Sequence, residues 1–225
     1  MPAAGGDRAD RAGPLLVACA LRIEQVALRS AGHGRAGGTD RAAAGAYTLL
    51  RTGMGPRAAE RALLRALERP AAERAAVLAT GFCAGLVPGM SPGDIVVAEE
   101  TRDPRGTVPC TGTALLAEAL ARAVPGRTVH TGPLTGSDHV VRGQERAQLR
   151  ATGAVAVDME SAATLRAAVR GGARPVAAVR VIVDAPEHEL VRIGTVRGGI
   201  SAFRVLRAVL PAFYEWHRSS LLPRR

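Results

Sequence analysis

Short apolar runs alternate with stretches of helical periodicity along nearly the whole chain, and this alternation constrains the fold more than any other feature. Runs at Leu15–Ala20, Tyr47–Arg51, Ala76–Thr80, Ile95–Glu99, Thr128–Thr131, Val155–Met159 and Val176–Val183 are mostly Val, Leu and Ala without polar alternation. That is the pattern of strands covered on both faces. Between them, Pro56–Leu67 opens on a proline suited to the first helical position and carries apolar residues at 59, 62, 63, 66 and 67. Thr113–Ala123, Gln144–Arg150 and Glu160–Arg170 read as further helices, the last closed by Gly171-Gly172. Thr195–His217 reads as one long amphipathic helix kinked at Pro211. Strands and helices alternating at these lengths predict a single α/β domain over residues 14–218, built on a parallel or mixed sheet. A polar, Gly-rich tail at 1–13, expected to be disordered, and a basic tail at 219–225 flank it.

In open α/β sheets the chemistry sits beyond the carboxyl ends of the strands, so the polar residues there are the candidates. Glu24 follows the first run and can act on a water as general base; it also reads as an ordinary helix-face glutamate. Glu160 follows a strand and heads a helix, where free N–H groups and the macrodipole favour its anion. An ionised carboxylate there can accept two sugar hydroxyls, and a plain first-turn acid is the other reading. Asp184 ends the most apolar run, so burial is expected to raise its pKa and make it a proton donor; an Asx turn before Pro186 is the alternative. Two carboxyls with split pKa values, one protonating a leaving group and one activating water, match the logic of glycosidic cleavage. Spacing alone leaves the substrate open.

Composition removes several other chemistries. The 225 residues contain no Lys and no Asn, which excludes lysine Schiff bases and a Walker-type phosphate lysine. At 47% apolar and 22% charged the chain is that of a soluble globular protein. Aromatics at 3% are too few for base-stacking platforms. The formal charge of +10 is carried entirely by Arg, scattered along the chain and including a helix face at 57, 61, 65, 69 and 74. Such a balance speaks to solubility and loose anion attraction, and the preference for Arg over Lys follows from a GC-rich genome. No nucleic-acid partner is expected; a basic module for nucleic acid or anionic lipid is the non-enzyme alternative.

Cys19, Cys83 and Cys110 show no C-x-x-C spacing, so neither a disulfide framework nor a metal site is signalled, and a reducing cytoplasmic setting fits. Leu16-Val17-Ala18-Cys19 mimics a lipoprotein cleavage box. The apolar run before it is only Pro14–Ala18 and is preceded by Asp7 and Asp10, so a buried strand is expected instead.

Several segments in order resemble the nucleoside phosphorylase family, in particular its methylthioadenosine/S-adenosylhomocysteine nucleosidase branch. Val157-Asp158-Met159-Glu160-Ser161-Ala162-Ala163 resembles V-E-M-E-x-x-A, and Thr80-Gly81-Phe82-Cys83-Ala84-Gly85-Leu86 the T-G-S-A-G-G-L turn. Pro92-Gly93-Asp94-Ile95-Val96-Val97, Arg51-Thr52-Gly53-Met54-Gly55, Ser137-Asp138 and Arg180-Val181-Ile182-Val183-Asp184 follow the same family pattern, over residues 14 to 218. The resemblance implies a three-layer α/β/α sandwich around a mixed, partly barrel-like sheet, assembled as a homo-oligomer. It implies that Met159 and Glu160 hold the ribose, Asp184 protonates the departing adenine and Glu24 activates the attacking water. Val140, Val141 and Val183 would line the purine. Gly53, Gly55, Gly81 and Phe82, with Arg22 and Arg57 on neighbouring turns, would form the phosphate or water pocket. No metal or organic cofactor is implied, and inorganic phosphate enters only as a co-substrate.

The departures carry information too. Phe82 stands where relatives place a Ser that contacts water or phosphate, Ala79 where bacterial purine nucleoside phosphorylases place a phosphate-binding Arg, and Val183 where a Ser precedes the Asp. The connection between Glu100 and Gly112 is much shorter than the one that closes over the 5′ substituent in the nucleosidases, which implies an open 5′ end. Leu21-Arg22-Ile23-Glu24-Gln25, Asp158-Met159-Glu160-Ser161 and the compact length resemble the hopanoid-associated branch most closely. That branch implies removal of adenine from adenosylhopane, by hydrolysis or phosphorolysis, with weak association to a membrane surface. Cleavage of the small thioether nucleosides, and more weakly of futalosine, are the enzyme alternatives.

Overall fold

The computed structural model describes residues 13–33, 47–186 and 195–220. Of the expected tails, residues 1–12 and 221–225 lie outside the described residues, while Ser219 and Ser220 belong to the last helix. Eight strands are described: β1 (Leu15–Cys19), β2 (Tyr47–Arg51), β3 (Ala76–Gly85), β4 (Ile95–Asp103), β5 (Gly106–Pro109), β6 (Val129–Gly136), β7 (Ala156–Asp158) and β8 (Val176–Asp184). With them go helices α1 (Arg22–His33), α2 (Pro56–Leu67), α3 (Thr113–Ala123), α4 (Gln144–Ala151), α5 (Ser161–Arg170), α6 (Thr195–Ala208) and α7 (Leu210–Ser220).

The sheet closes on itself. β3 pairs with β8 and β7, β7 with β6, β6 with β4, and β4 with β8, which makes a five-stranded ring. β1 and β2 extend it in parallel from the first half of β3, and β5 folds back on β4 as an antiparallel edge. Parallel and antiparallel pairs are mixed, and helices cover both faces. On one face Leu28 of α1, Leu116 and Leu120 of α3, Leu206 of α6 and Phe213 and Trp216 of α7 pack on β1, β3, β4 and β8. On the other, Leu63 of α2 and Leu165, Ala167 and Ala168 of α5 do the same. Trp216 is fully buried and donates its indole N–H to the Thr111 carbonyl at 2.6 Å; truncating it to Ala costs about 3–5 kcal/mol.

Three details differ from the sequence expectation. The Gly81–Gly85 stretch is strand rather than turn: β8 pairs with β3 residue by residue to Cys83, the register shifts before Ala84, and β7 takes up Ala84 and Gly85. The short connection after Glu100 is a hairpin, because Gly106 turns β4 back through β5. The long C-terminal helix is two helices, α6 ending at Ala208 and α7 starting at Leu210. Pro211 lacks an N–H and its ring crowds the carbonyl four residues back, so the helix breaks rather than bends.

Candidate active site

The second half of β3 is where the predicted acids meet. Glu24 sits in the first turn of α1 and turns back toward the sheet. Its Oε2 accepts the N–H groups of Ala20 and Leu21 at 2.9 and 2.8 Å, and its Oε1 accepts that of Phe82 at 2.8 Å. Three backbone donors hold a buried carboxylate in one orientation. Gly81 makes room for it. Its φ of +135° disfavours L side chains, and a Cβ there would lie 2.4 Å from Glu24 Oε1 and 2.7 Å from Arg180 Nη1.

Arg180 stands across from Gly81 on β8 and is only 1% exposed. Its Nη2 lies 2.5 Å from Asp158 Oδ2, its Nε donates to Ser161 Oγ at 2.9 Å, and its Nη1 donates to the Thr80 carbonyl at 3.1 Å with Glu160 Oε2 at 4.0 Å. Burial works against the guanidinium charge, but Asp158, Glu160 and Glu24 outweigh it and hold Arg180 more firmly protonated than an arginine in water. A cation enclosed by apolar strand residues needs such partners.

Asp158 and Glu160 divide the roles differently from the sequence reading. The N–H of Ser161, at the start of α5, goes to both Asp158 oxygens at 3.3 and 3.1 Å. Glu160 makes no side-chain cap to α5; its Oε1 accepts the N–H of Gly55 at 2.8 Å, across 105 residues of sequence. Gly55 has φ +88°, which turns its N–H toward Glu160. Burial pushes the Glu160 carboxyl above the usual range, with Asp158 and Glu24 adding to the rise and Arg180 and the Gly55 N–H opposing it. The free N–H at the start of α5 is thus met by Asp158 and not by Glu160. Met159 is half-buried between them.

Asp184 ends β8 four residues beyond Arg180, paired with Ala84 of β3. It is buried as expected, but not in purely apolar surroundings: Arg146, in the first turns of α4, forms an ion pair with its Oδ2. Sequence reasoning missed Arg146, which reads as one more solvent-facing Arg of a polar helix. The same guanidinium's Nε donates to the Val141 carbonyl at 3.4 Å. The buried Cys83 lies between the two ends of the site: burial first, then Asp158 and Asp184, push its thiol up, while Arg180 pulls the other way. Burial also pushes the Cys19 thiol up to about 12, so neither cysteine supplies a thiolate.

The structure brings Glu24, Glu160, Gly55, Gly81 and Phe82 into one cluster, with Asp184 along the same strands. Val141 is buried and reaches the Asp184 end through Arg146, while Val140 is 59% exposed in the loop before α4. Val183 does not join Asp184. Successive strand residues alternate faces, and Val183, like the Phe82 side chain, packs against the core shared with α1 and α6. Gly53 lies beside α2, and Arg22 and Arg57 are exposed in the first turns of α1 and α2. Arg57 adds a weak attraction at Asp138. Among the described residues no cluster of three or more metal-ligating side chains occurs, and no helix is long and apolar enough to cross a membrane.

The family model described as the phosphorylase superfamily matches residues 14–211. Among solved structures, the chain is similar to the 5′-methylthioadenosine/S-adenosylhomocysteine nucleosidase of Neisseria meningitidis in complex with methylthio-immucillin-A, with 22% identity and a TM-score of 0.72 over 90% of this chain and 98% of that one. It is also similar to the S-adenosylhomocysteine nucleosidase of Streptococcus pyogenes (20% identity, TM-score 0.70, covering 91% and 97%). A third similar structure is the futalosine hydrolase of Helicobacter pylori (14% identity, TM-score 0.71, covering 92% and 99%). No curated protein matches the chain by sequence.

Proposed function

Because the chain belongs to the phosphorylase superfamily, we propose that it cleaves the N-glycosidic bond of an adenosyl nucleoside and releases adenine. The observation that carries this reading is the buried Arg180, which gathers Asp158 and Glu160 and meets Glu24 at Gly81, with Asp184 farther along the same strand. Glu160, anchored by Gly55 N–H, accepts the ribose hydroxyls with help from Met159. Glu24, already fixed by three backbone N–H groups, takes a proton from a water as that water attacks C1′. The electron pair of the C1′–N bond passes to the adenine ring, which collects a proton on the side where Asp184 lies. Water's hydroxyl ends on the sugar and a proton on the base, so the step balances as hydrolysis.

Water suits the nucleophile position better than phosphate. Two carboxylates share that cluster with one arginine already satisfied, and a phosphate dianion beside them meets like charge. Arg22 and Arg57 sit at the surface rather than inside. Adenine release that rises steeply with added phosphate is the result that contradicts this assignment.

The compact β4–β5 hairpin leaves little chain to cover a 5′ substituent, which suits a large group such as the triterpenoid of adenosylhopane. In this reading the enzyme acts in the cytoplasm as a homo-oligomer, with exposed arginines such as Arg204, Arg207 and Arg218 resting against an anionic membrane that holds the substrate. The similarity to thioether nucleosidases supports methylthioadenosine and S-adenosylhomocysteine as the second substrate class. Purified protein incubated with each of the three, with and without phosphate, decides among them by adenine release. Faster turnover of the small thioethers than of adenosylhopane overturns the hopanoid assignment.

A further inference from the structure

We infer that the outer side of α1 and α6 docks on an anionic phospholipid bilayer, with Ile23, Val26 and Ile200 entering the interface and a lipid phosphate seated between Arg127 and Arg204. This rests on the membrane-facing reading above and names the surface.

Two observations meet on this side of the molecule. Ile23 and Val26 of α1 and Ile200 of α6 are 53%, 50% and 50% exposed. The two helices pack side by side on one face of the sheet. A single exposed apolar side chain is ordinary. Here three lie in the first halves of the helices that follow β1 and β8, the strands that lead to Glu24 and end at Asp184. Exposed Arg22, Arg204 and Arg207 stand among them. Neither helix shows a carboxylate to solvent, because Glu24 is buried and Thr195–Ala208 contains no acid.

The second observation is a cavity of about 390 Å³ between α6 and the turn after α3, lined by Val124, Arg127, Ile200, Ser201, Arg204 and Val205. Arg127 donates to Ser201 Oγ at 2.6 Å and to the Pro92 carbonyl at 3.5 Å, which fixes its guanidinium in the cavity wall. Gly93, next in the chain to Pro92, donates its N–H to the Ile182 carbonyl at 2.8 Å. The cavity therefore lies at the Asp184 end of β8. Two guanidinium groups above apolar walls suit a phosphate that carries hydrocarbon.

Charge decides what covers this side. A second copy of the chain docked through the same face would set arginine against arginine, with no carboxylate to answer them. An anionic leaflet supplies the missing negative charge and an apolar interior for the three side chains. Docked so, the bilayer lies at the end of the helical layer where β8 delivers Asp184.

The test is co-sedimentation of the purified protein with phosphatidylcholine vesicles, with and without phosphatidylglycerol. Wild type should partition onto the phosphatidylglycerol vesicles. Arg127→Gln/Arg204→Gln should weaken that partition about 10-fold or more, each arginine near an anionic surface contributing a factor of about five. Val26→Ser/Ile200→Ser leaves the charge unchanged and should lose several-fold; both side chains are half-exposed, so this variant carries the test if the arginine pair disturbs folding. Arg61→Gln/Arg65→Gln removes the same charge from the exposed side of α2, across the sheet, and should bind within about 2-fold of wild type, because charges beyond a Debye length are screened. Equal losses from the two arginine pairs, or undiminished partition of Val26→Ser/Ile200→Ser, overturn this surface and leave the membrane reading standing. Wild type that stays in solution beside phosphatidylglycerol vesicles overturns both. Adenine release by wild type from methylthioadenosine in water, without vesicles, tests the nucleosidase reading separately.

Discussion

Arg180 Nη2 lies 2.5 Å from Asp158 Oδ2, and neither side chain is more than 1% exposed. The contact joins the middle of β8 to the end of β7, and Ser161, Thr80 and Glu160 surround the same guanidinium. Removing one partner of a buried, fully bonded ion pair leaves the other charge uncompensated, at about 3–5 kcal/mol. Arg180→Met should therefore lower the unfolding free energy by about that amount, read from urea denaturation, and abolish activity with it. A variant of wild-type stability contradicts the structural role.

Glu24 should behave differently. Glu24→Gln keeps the size of the side chain and one acceptor oxygen, enough for the N–H groups of Ala20 and Leu21, but gives up the acceptor for Phe82 N–H and removes the base. Adenine release should fall about 100-fold or more with substrate affinity changed little. A rate within a few-fold of wild type would place the base elsewhere.

Gly81 is tested by adding one carbon. In Gly81→Ala the new Cβ collides with Glu24 Oε1 and Arg180 Nη1 at a φ of +135°. Strain of this kind costs about 1–3 kcal/mol, and thermal unfolding should move down by several degrees. Because the carboxylate is displaced as well, kcat should fall more than stability alone explains. Wild-type values of Tm and kcat would contradict the crowding.

His139 gives a pH prediction. Its Nδ1 contacts Asp138 at 2.8 Å and its Nε2 contacts Glu145 at 3.0 Å, and these bonds, Asp138 first, raise its pKa. A raised folded value means that the stabilisation is fully present below the ordinary histidine pKa of about 6.5 and is lost as pH rises through the folded value. Amide exchange in residues 137–143, beyond its intrinsic pH dependence, should accelerate across that window. Protection that stays constant through it contradicts the clasp.

Much of the architecture can be read from the chain because unbroken Val, Leu and Ala runs have few other uses than doubly covered strands. Gly81–Gly85 misleads because glycines signal turns locally, whereas here the pairing of β8 and β7 holds them extended, and the missing side chain at Gly81 admits Glu24 and Arg180. Arg180 carries a signal of its own: a lone charge within Val176–Val183 cannot be buried without carboxylate partners, and Asp158 and Glu160 were the acids to seek. Arg146 carries none. Gln144–Ala151 is a polar helix in which any Arg reads as solvated, and only the tertiary approach of α4 to the end of β8 buries it.

The most direct measurement is adenine release by purified wild-type protein from adenosylhopane, methylthioadenosine and S-adenosylhomocysteine in phosphate-free buffer, alongside Asp184→Asn. The wild type should release adenine from at least one of the three in step with free ribosyl product, and Asp184→Asn should release it at least about 100-fold more slowly. No adenine from any of them, with or without added phosphate, would contradict N-glycosidic cleavage as the work of this site.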